Sequence, residues 1–244
     1  MSTIKVALVC IAKNEDPYIQ EWVEYNTKLG FDHIHLFQND WRTDYEHPNL
    51  IKYVIDGLNK QRSAYNLFLH QYGNRYDWAA FFDVDEFLVL KKHKTIKEFV
   101  LDYNDKAGVG INWVMFGNNG HTEVIDNEYS QIKRFTKREK GINNHIKTIL
   151  NLKYNFLMDI HNPVNLMVSD TNGNLINGPF NDKGTDEVAQ INHYYCKTPD
   201  EFIKKCERGR ADTAYYRNVY PDNYNPSNLN DVEDLWAYNF MYGN

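Results

Sequence analysis

The chain has 244 residues, 42% of them hydrophobic and 15% aromatic, with a formal net charge of −6. That length suits one large α/β domain or two small ones, and the acidic balance argues against a nucleic-acid binder, which carries a basic footprint. Three cysteines, Cys10, Cys196 and Cys206, cannot all pair and form no CxxC, which points to a reduced, cytoplasmic setting.

Residues 4–12 form a continuous β-branched apolar run of the kind buried in parallel sheets. The run is too short for a membrane span and reads as a strand rather than a signal peptide, so membrane contact is at most peripheral. Residues 19–29 predict an amphipathic helix with Ile19, Trp22 and Val23 inward and Gly30 as its C-terminal stop. Strands at 31–37 and 51–55 flank a polar loop. A helix at 61–72 and a strand at 78–82 follow. This order predicts a mostly parallel central sheet flanked by helices, with ligands at the carboxyl ends of its strands. The loops at 13–16, 38–44 and 83–86 then line one crevice. Further on, the sequence predicts a helix at 95–103 and a strand at 110–116. It predicts strands at 147–152, 164–168 and 188–191, and a helix at 199–207 with Thr198 as N-cap. The tail from 215 reads as irregular, with a short helix at 231–240. No linker divides the chain, so 1–244 is read as one domain: a nucleotide-binding half (1–105), then an acceptor-binding half with a smaller sheet and the tail (106–244).

The stretch Phe81-Phe82-Asp83-Val84-Asp85-Glu86-Phe87 is the most informative. Carboxylates interrupting an apolar strand need a positive partner, because unpaired burial is costly. Asp83 and Asp85 at i and i+2 on extended backbone share a face and repel unless neutralised. A hard divalent cation such as Mg²⁺ or Mn²⁺, carrying a diphosphate, answers both constraints. The bland alternative is a solvated strand end beside Lys91, Lys92 and Lys94.

With Cys10-Ile11-Ala12-Lys13-Asn14-Glu15 and Glu21-Trp22-Val23-Glu24-Tyr25 before it, this stretch resembles the GT-A glycosyltransferases, nearest to families 2 and 92. Trp113-Val114-Met115-Phe116-Gly117-Asn118-Asn119-Gly120 is similar to their W-x-x-F-G-x-x-G segment. The run from Ile191-Asn192-His193-Tyr194-Tyr195 through Lys197-Thr198 to Glu201-Phe202 is similar to their HY-x-x-K-[ST]-x-x-E-F segment. The resemblance implies a GT-A, Rossmann-like fold, a UDP-sugar donor, a Mn²⁺ or Mg²⁺ ion and transfer to an acceptor hydroxyl. It places Asp85 on the metal, Asp83 on the ribose or on the metal through water, and a histidine, His193 or His161, as a further ligand. Ala12, Lys13 and Glu15 would receive the nucleobase. Asn39 and Asp40 belong to a loop where the family's first acid is replaced by Gln38, which puts that loop's contacts in doubt.

Gln61 and Arg62 open a helix whose N-terminus suits anions, with a solvated start as the equal alternative. Lys147, the basic run at 133–140, or Lys197, Lys204 and Arg208 are candidates to neutralise the leaving diphosphate, although a solvated loop is the plainer reading of most of the run. Trp113 and Phe116 are candidates for stacking on an acceptor sugar, with core packing as the alternative. Glu123, Asp159 and Asp182 are the candidate general bases, with Asp186 also in that half.

The reading is therefore an inverting hexosyltransferase, galactosyl as a first guess, acting on a glycan or lipid-linked glycan in bacterial surface-polysaccharide assembly. Two competitors stand beside it. One is a noncatalytic glycan- or nucleotide-binding module with a degenerate site. The other is a DxD phosphatase, disfavoured because Phe87 stands where Thr or Val is wanted and a whole βαββα unit precedes the motif.

Overall fold

The computed structural model describes residues 4–209 and 229–243. The first strand, β1 (Val6–Ala12), is buried along its whole length. Its side chains alternate between two cores. Val6, Leu8, Cys10 and Ala12 join one, and Ala7, Val9 and Ile11 join the other. A strand covered on both faces shows no polar alternation, and that is why the sequence reads as an unbroken apolar run.

Helix α1 (Asp16–Leu29) begins three residues earlier than the apolar pattern suggests, with Pro17 in its first turn, where a missing N–H costs nothing. Gly30 closes it at φ 102°, a left-handed conformation that suits glycine. Next come β2 (His33–Gln38), β3 (Leu50–Val54), α2 (Gln61–Tyr72) and β4 (Trp78–Phe81). Strands β3, β2, β1 and β4 lie side by side in that order, all parallel. The sheet continues through β8 (Ile146–Asn151), antiparallel to β4, and β6 (Gly108–Met115), antiparallel to β8. It ends in the short β9 (Val168–Ser169) and β10 (Leu175–Ile176). The expected strand at 164–168 is thus reduced to its last residue and the one after.

The sheet forks at β6. Residues 108–112 pair with β8, whereas Trp113 to Met115 pair with β11 (Ala189–His193), which also carries β5 (Glu86–Leu90) antiparallel on its other side. Strand β5 was not anticipated from the sequence. Two buried hydrogen bonds anchor α1 to it, Trp22 Nε1 to the Glu86 carbonyl at 3.0 Å and Tyr25 Oη to the Leu88 carbonyl at 2.8 Å. The architecture is mixed α/β, with a large, mostly parallel central sheet and flanking helices, as the resemblance implies.

Helix α3 (Ile96–Leu101) is capped by Thr95, and α4 (Gln131–Arg134) by Ser130. A two-stranded sheet joins β7 (Lys137–Arg138) to β12 (Val232–Glu233). Helix α5 (Pro199–Glu207) has the expected Thr198 cap, and α6 (Trp236–Tyr242) takes the place of the helix expected at 231–240. Most of the irregular tail lies outside the described residues. The three cysteines are free and buried. Among the described residues, no helix is long and apolar enough to cross a membrane.

Candidate active site

The acidic motif sits where β4 ends, and here the structure corrects one expectation. Asp83 and Asp85 do not share the face of an extended strand. Residues 83–86 form a turn, closed by a backbone bond from Glu86 N–H to the Asp83 carbonyl at 3.0 Å, so the two carboxylates meet different cations. Asp83 accepts from Lys147 Nζ at 2.9 Å and from Gln61 Nε2 at 3.2 Å. Lys147, wholly buried on β8, also lies 3.2 Å from a Glu86 carboxylate oxygen. That oxygen accepts from the Asp83 backbone N–H at 2.9 Å, so Glu86 braces the turn. Burial draws the Lys147 ammonium down, but the Asp83 and Glu86 carboxylates outweigh it and hold it well above the ordinary lysine value. Glu86 moves the other way. Burial, opposed by Lys147 and helped by Asp83 and Asp85, pushes it up to about 8, and its Oε1 is buried without a hydrogen-bond partner among the described residues.

Asp85, 4% exposed, has its carboxylate on the ammonium of Lys205 from α5. His193 Nε2, at the end of β11, stands 3.8 Å from the same oxygen, beyond ordinary hydrogen-bond distance. Burial alone would raise the Asp85 pKa. Lys205 and His193 reverse that and hold it well below the carboxylate range. Burial lowers His193, against the pull of Asp85, and its Nδ1 is buried without a partner among the described residues.

Helix α5 presents Glu201, Lys205 and Arg208 at i, i+4 and i+7, one stripe of a helix and its C-cap. Arg208 pairs with Glu15 and donates to the Lys13 carbonyl at 3.1 Å, tying the end of α5 to the loop after β1. Lys197, just before α5, has φ 52°. The other positive-φ residues among those described are glycines or Asn and Asp, which tolerate that region; a lysine there is strained. Its ammonium lies 3.7 Å from the centre of the Tyr18 ring, and burial lowers its pKa. Between α1 and α5 lies a cavity of about 430 Å³, with Tyr18, Lys197, Lys204, Lys205 and Arg208 among its walls.

A ring cluster stands at the fork of the sheet. Trp113 stacks on His145 with centroids 4.8 Å apart and lies 4.3 Å from His193 and 5.3 Å from His161. The Trp113 Nε1 is buried without a hydrogen-bond partner among the described residues. His161 donates its Nδ1–H to the Ile146 carbonyl at 3.2 Å, and burial beside Lys147 holds its pKa down at about 3, neutral at physiological pH.

A family model described as glycosyltransferase family 92 matches residues 41–227, more than half of the chain and across the motif, the fork and α5. The chain belongs to glycosyltransferase family 92. A family 92 protein of rice, Oryza sativa subsp. japonica, is 21% identical over 129 residues, 48% of this chain. The chain spans only 22% of the length of that relative. Among solved structures, UDP-glucose pyrophosphorylase complexed with UDP-glucose gives a TM-score of 0.35 at 14% identity, over 83% of this chain and 79% of that one. A manganese complex of a Mycobacterium tuberculosis H37Rv protein gives 0.33 at 11% identity, over 46% and 66%.

In this family 92 chain the remaining candidates divide. Gln61, Asp83, Lys147, Asp85 and His193 converge around the turn, and Glu15 and Lys197 join them through α5. Lys13 reaches Asp40 at 3.3 Å on the crevice rim, while Ala12 is buried at the end of β1. Asn39 is buried and donates to the Ile55 and Gly57 carbonyls at 2.8 and 2.9 Å, so its amide holds the loop together. Phe116 is wholly buried against Tyr194 and packs in the core. Asp159 is paired with Arg62, next to Gln61; Asp182 accepts from Asn144 at 2.8 Å; Glu123 is exposed in the loop after β6. Asp186 is committed to Lys91 and Arg138.

In the basic run Lys133, Lys137 and Lys140 are exposed, as expected for most of it, but the two arginines are committed to partners. Arg134 is buried on Glu201, and Arg138 pairs with Asp234 and Asp186. Lys205 was overlooked in the sequence. Its signal was the charged i, i+4, i+7 stripe on a helix whose neighbours Phe202 and Cys206 are apolar.

A divalent ion is implied by the motif. Among the described residues, no group of three or more His, Cys, Asp or Glu is arranged to hold a metal. Ions that also take phosphate oxygens need only one or two protein carboxylates. Asp85 meets that requirement with His193 beside it, and the Lys205 ammonium marks it as a cation-accepting position. The donor set fits an ion that is completed by a diphosphate.

Proposed function

We propose that this chain is a metal-dependent glycosyltransferase that moves a hexose from a UDP-sugar to a glycan hydroxyl with inversion. The observation that carries the reading is the turn at 83–86, whose two acids each face a buried ammonium, Lys147 and Lys205, beside a cavity walled by further cations. A structural turn would not need buried charge, because charged pairs of this kind add little net stability over apolar packing.

In this reading Asp85, with Asp83 and His193, holds a Mn²⁺ or Mg²⁺ ion, which when bound offsets charge on the departing diphosphate. Gln61 and Lys147 orient Asp83. Glu86 fixes the turn by accepting from the Asp83 N–H. Lys13, Glu15, Asn39 and Asp40 frame the nucleoside end. Trp113 offers its ring to the acceptor sugar, whose apolar face stacks on aromatic surfaces. The base that takes the acceptor proton is sought among Asp159, Asp182 and Glu123, each on the acceptor side.

A thermal-shift series with UDP, UDP-galactose, UDP-glucose and UDP-N-acetylglucosamine, each with and without Mn²⁺, tests the reading. UDP with Mn²⁺ is expected to stabilise the protein, and Asp85→Ala to abolish that shift. Equal shifts in both proteins would sink it. Nucleotide binding without slow hydrolysis of any UDP-sugar would instead favour a noncatalytic binding module.

A further inference from the structure

We propose that Lys205 is the resident counter-cation of Asp85, that a divalent ion displaces it, and that the released ammonium joins Lys197 and Arg208 in holding the donor's diphosphate. The diphosphate half of this proposal rests on the donor reading above; the exchange at Asp85 does not.

The first ground is competition for one buried oxygen. Asp85 is 4% exposed, and Lys205 Nζ and His193 Nε2 both approach its Oδ2. A divalent ion entering there would stand against the ammonium, and two cations on one carboxylate in a poorly solvated site repel. The lysine must leave for the metal to bind well.

The second ground is that it has somewhere to go. Lys205 also lines the cavity of about 430 Å³ between α1 and α5, as do Lys197 and Arg208. A compact ammonium on a flexible four-carbon stem reaches either position from the same Cα.

The third ground is charge. Glu15 offsets Arg208, and Arg134 already engages Glu201. The cavity wall carries Lys197, Lys204, Lys205 and Arg208 against Glu201 and Glu207, so once the metal takes Asp85 cations are in excess there, which suits a diphosphate. The left-handed backbone of Lys197 is a cost the fold accepts with that ammonium over the Tyr18 ring on the cavity wall.

The test compares wild type, Lys205→Met, Lys205→Arg and the double variant Asp85→Asn/Lys205→Met. Mn²⁺ binding is read by electron paramagnetic resonance, and UDP binding without metal by calorimetry. Lys205→Met is expected to bind Mn²⁺ alone at least tenfold more tightly than wild type, and UDP without metal at least tenfold more weakly. Lys205→Arg should keep the weak wild-type Mn²⁺ affinity, and the double variant should lose the gain. Mn²⁺ affinity unchanged or weakened in Lys205→Met overturns the exchange, even with UDP binding intact, and leaves the donor reading standing. Tighter Mn²⁺ with no UDP binding by any form supports the exchange and removes the donor reading. If the methionine variant does not fold, Lys205→Gln carries the same expectations.

Discussion

The two ends of α5 carry the same chemistry, buried carboxylate against buried cation, and use it differently. At the N-terminal end, Glu201 accepts from Arg134 Nη1 and Nη2 at 2.9 and 2.7 Å and from Tyr18 Oη at 2.7 Å. It also accepts from the Thr198 hydroxyl at 2.7 Å and the Thr198 N–H at 3.0 Å, closing a capping box. Both oxygens are satisfied. At the C-terminal end and across to the 83–86 turn, Glu15 Oε2, Glu86 Oε1 and His193 Nδ1 are buried without hydrogen-bond partners among the described residues. A polar group left unmatched in the interior costs stability. A network complete in itself holds a fold together; one left incomplete contributes less to stability and has polar groups to offer a ligand.

If that contrast is right, changes at the turn alter turnover far more than stability, and changes at Glu201 do the reverse. The largest effect is expected for Asp85→Asn, which keeps shape and removes charge. Its kcat/KM with a UDP-sugar should fall about 10³-fold, the order expected when several kcal/mol of charge stabilisation is lost, with a smaller loss in urea unfolding because the buried Lys205 ammonium loses its partner. A variant that unfolds early but retains turnover would reverse the comparison.

Next is Glu201→Gln. The Arg134, Thr198 and Tyr18 bonds overcome burial and hold Glu201 down at about 2. A carboxylate lowered on folding stabilises the protein above its ordinary value near 4.5, and that contribution is lost as pH falls from there towards 2. Wild type should therefore lose about 3 kcal/mol over that window through this group, and Glu201→Gln should be less stable by about the same amount at pH 7 with a flatter acid limb. Urea titrations at several pH values read both.

Glu86→Gln sharpens the contrast from the opposite sign. Burial raises Glu86 to about 8, so the folded state binds its proton more tightly than the unfolded chain. Its ionisation costs stability progressively as pH rises from about 4.5 to 8. The glutamine variant should match wild type near pH 4 and exceed it by about 4 kcal/mol at pH 8. A variant that is less stable at pH 8 would mean that Glu86 is ionised and serves Lys147 as a structural partner. The smallest effect belongs to Trp113→Leu, expected to raise the acceptor KM about tenfold, of the order of 1 kcal/mol of lost stacking, with UDP affinity unchanged. Equal loss of UDP affinity would place Trp113 with the donor rather than the acceptor.

Much of this was visible in the linear text because it depends on local pattern. A strand buried on both faces must be apolar throughout, so β1 and β4 announce themselves, and acids ending such a strand announce a cation. Thr198 and Glu201 at i and i+3 announce a helix start. Strand β5 stayed hidden because its apolar residues continue directly from the acids, and only its pairing with β11 shows that the chain has turned. Arg134 and Arg138 looked like solvated charges, since nothing within a few residues tells that Glu201 and Asp234 lie opposite.

By itself, the order of residues determined the alternation of strands and helices, the position of the acidic turn and the family signature, since hydrophobic period and capping act over a handful of neighbours. Only the tertiary structure decided which cation meets which acid. Lys147 reaches Asp83 across 64 positions and Lys205 reaches Asp85 across 120. Charge pairing in a dry interior is set by the distance between strand ends and helix faces, and that distance exists only once the sheet has closed.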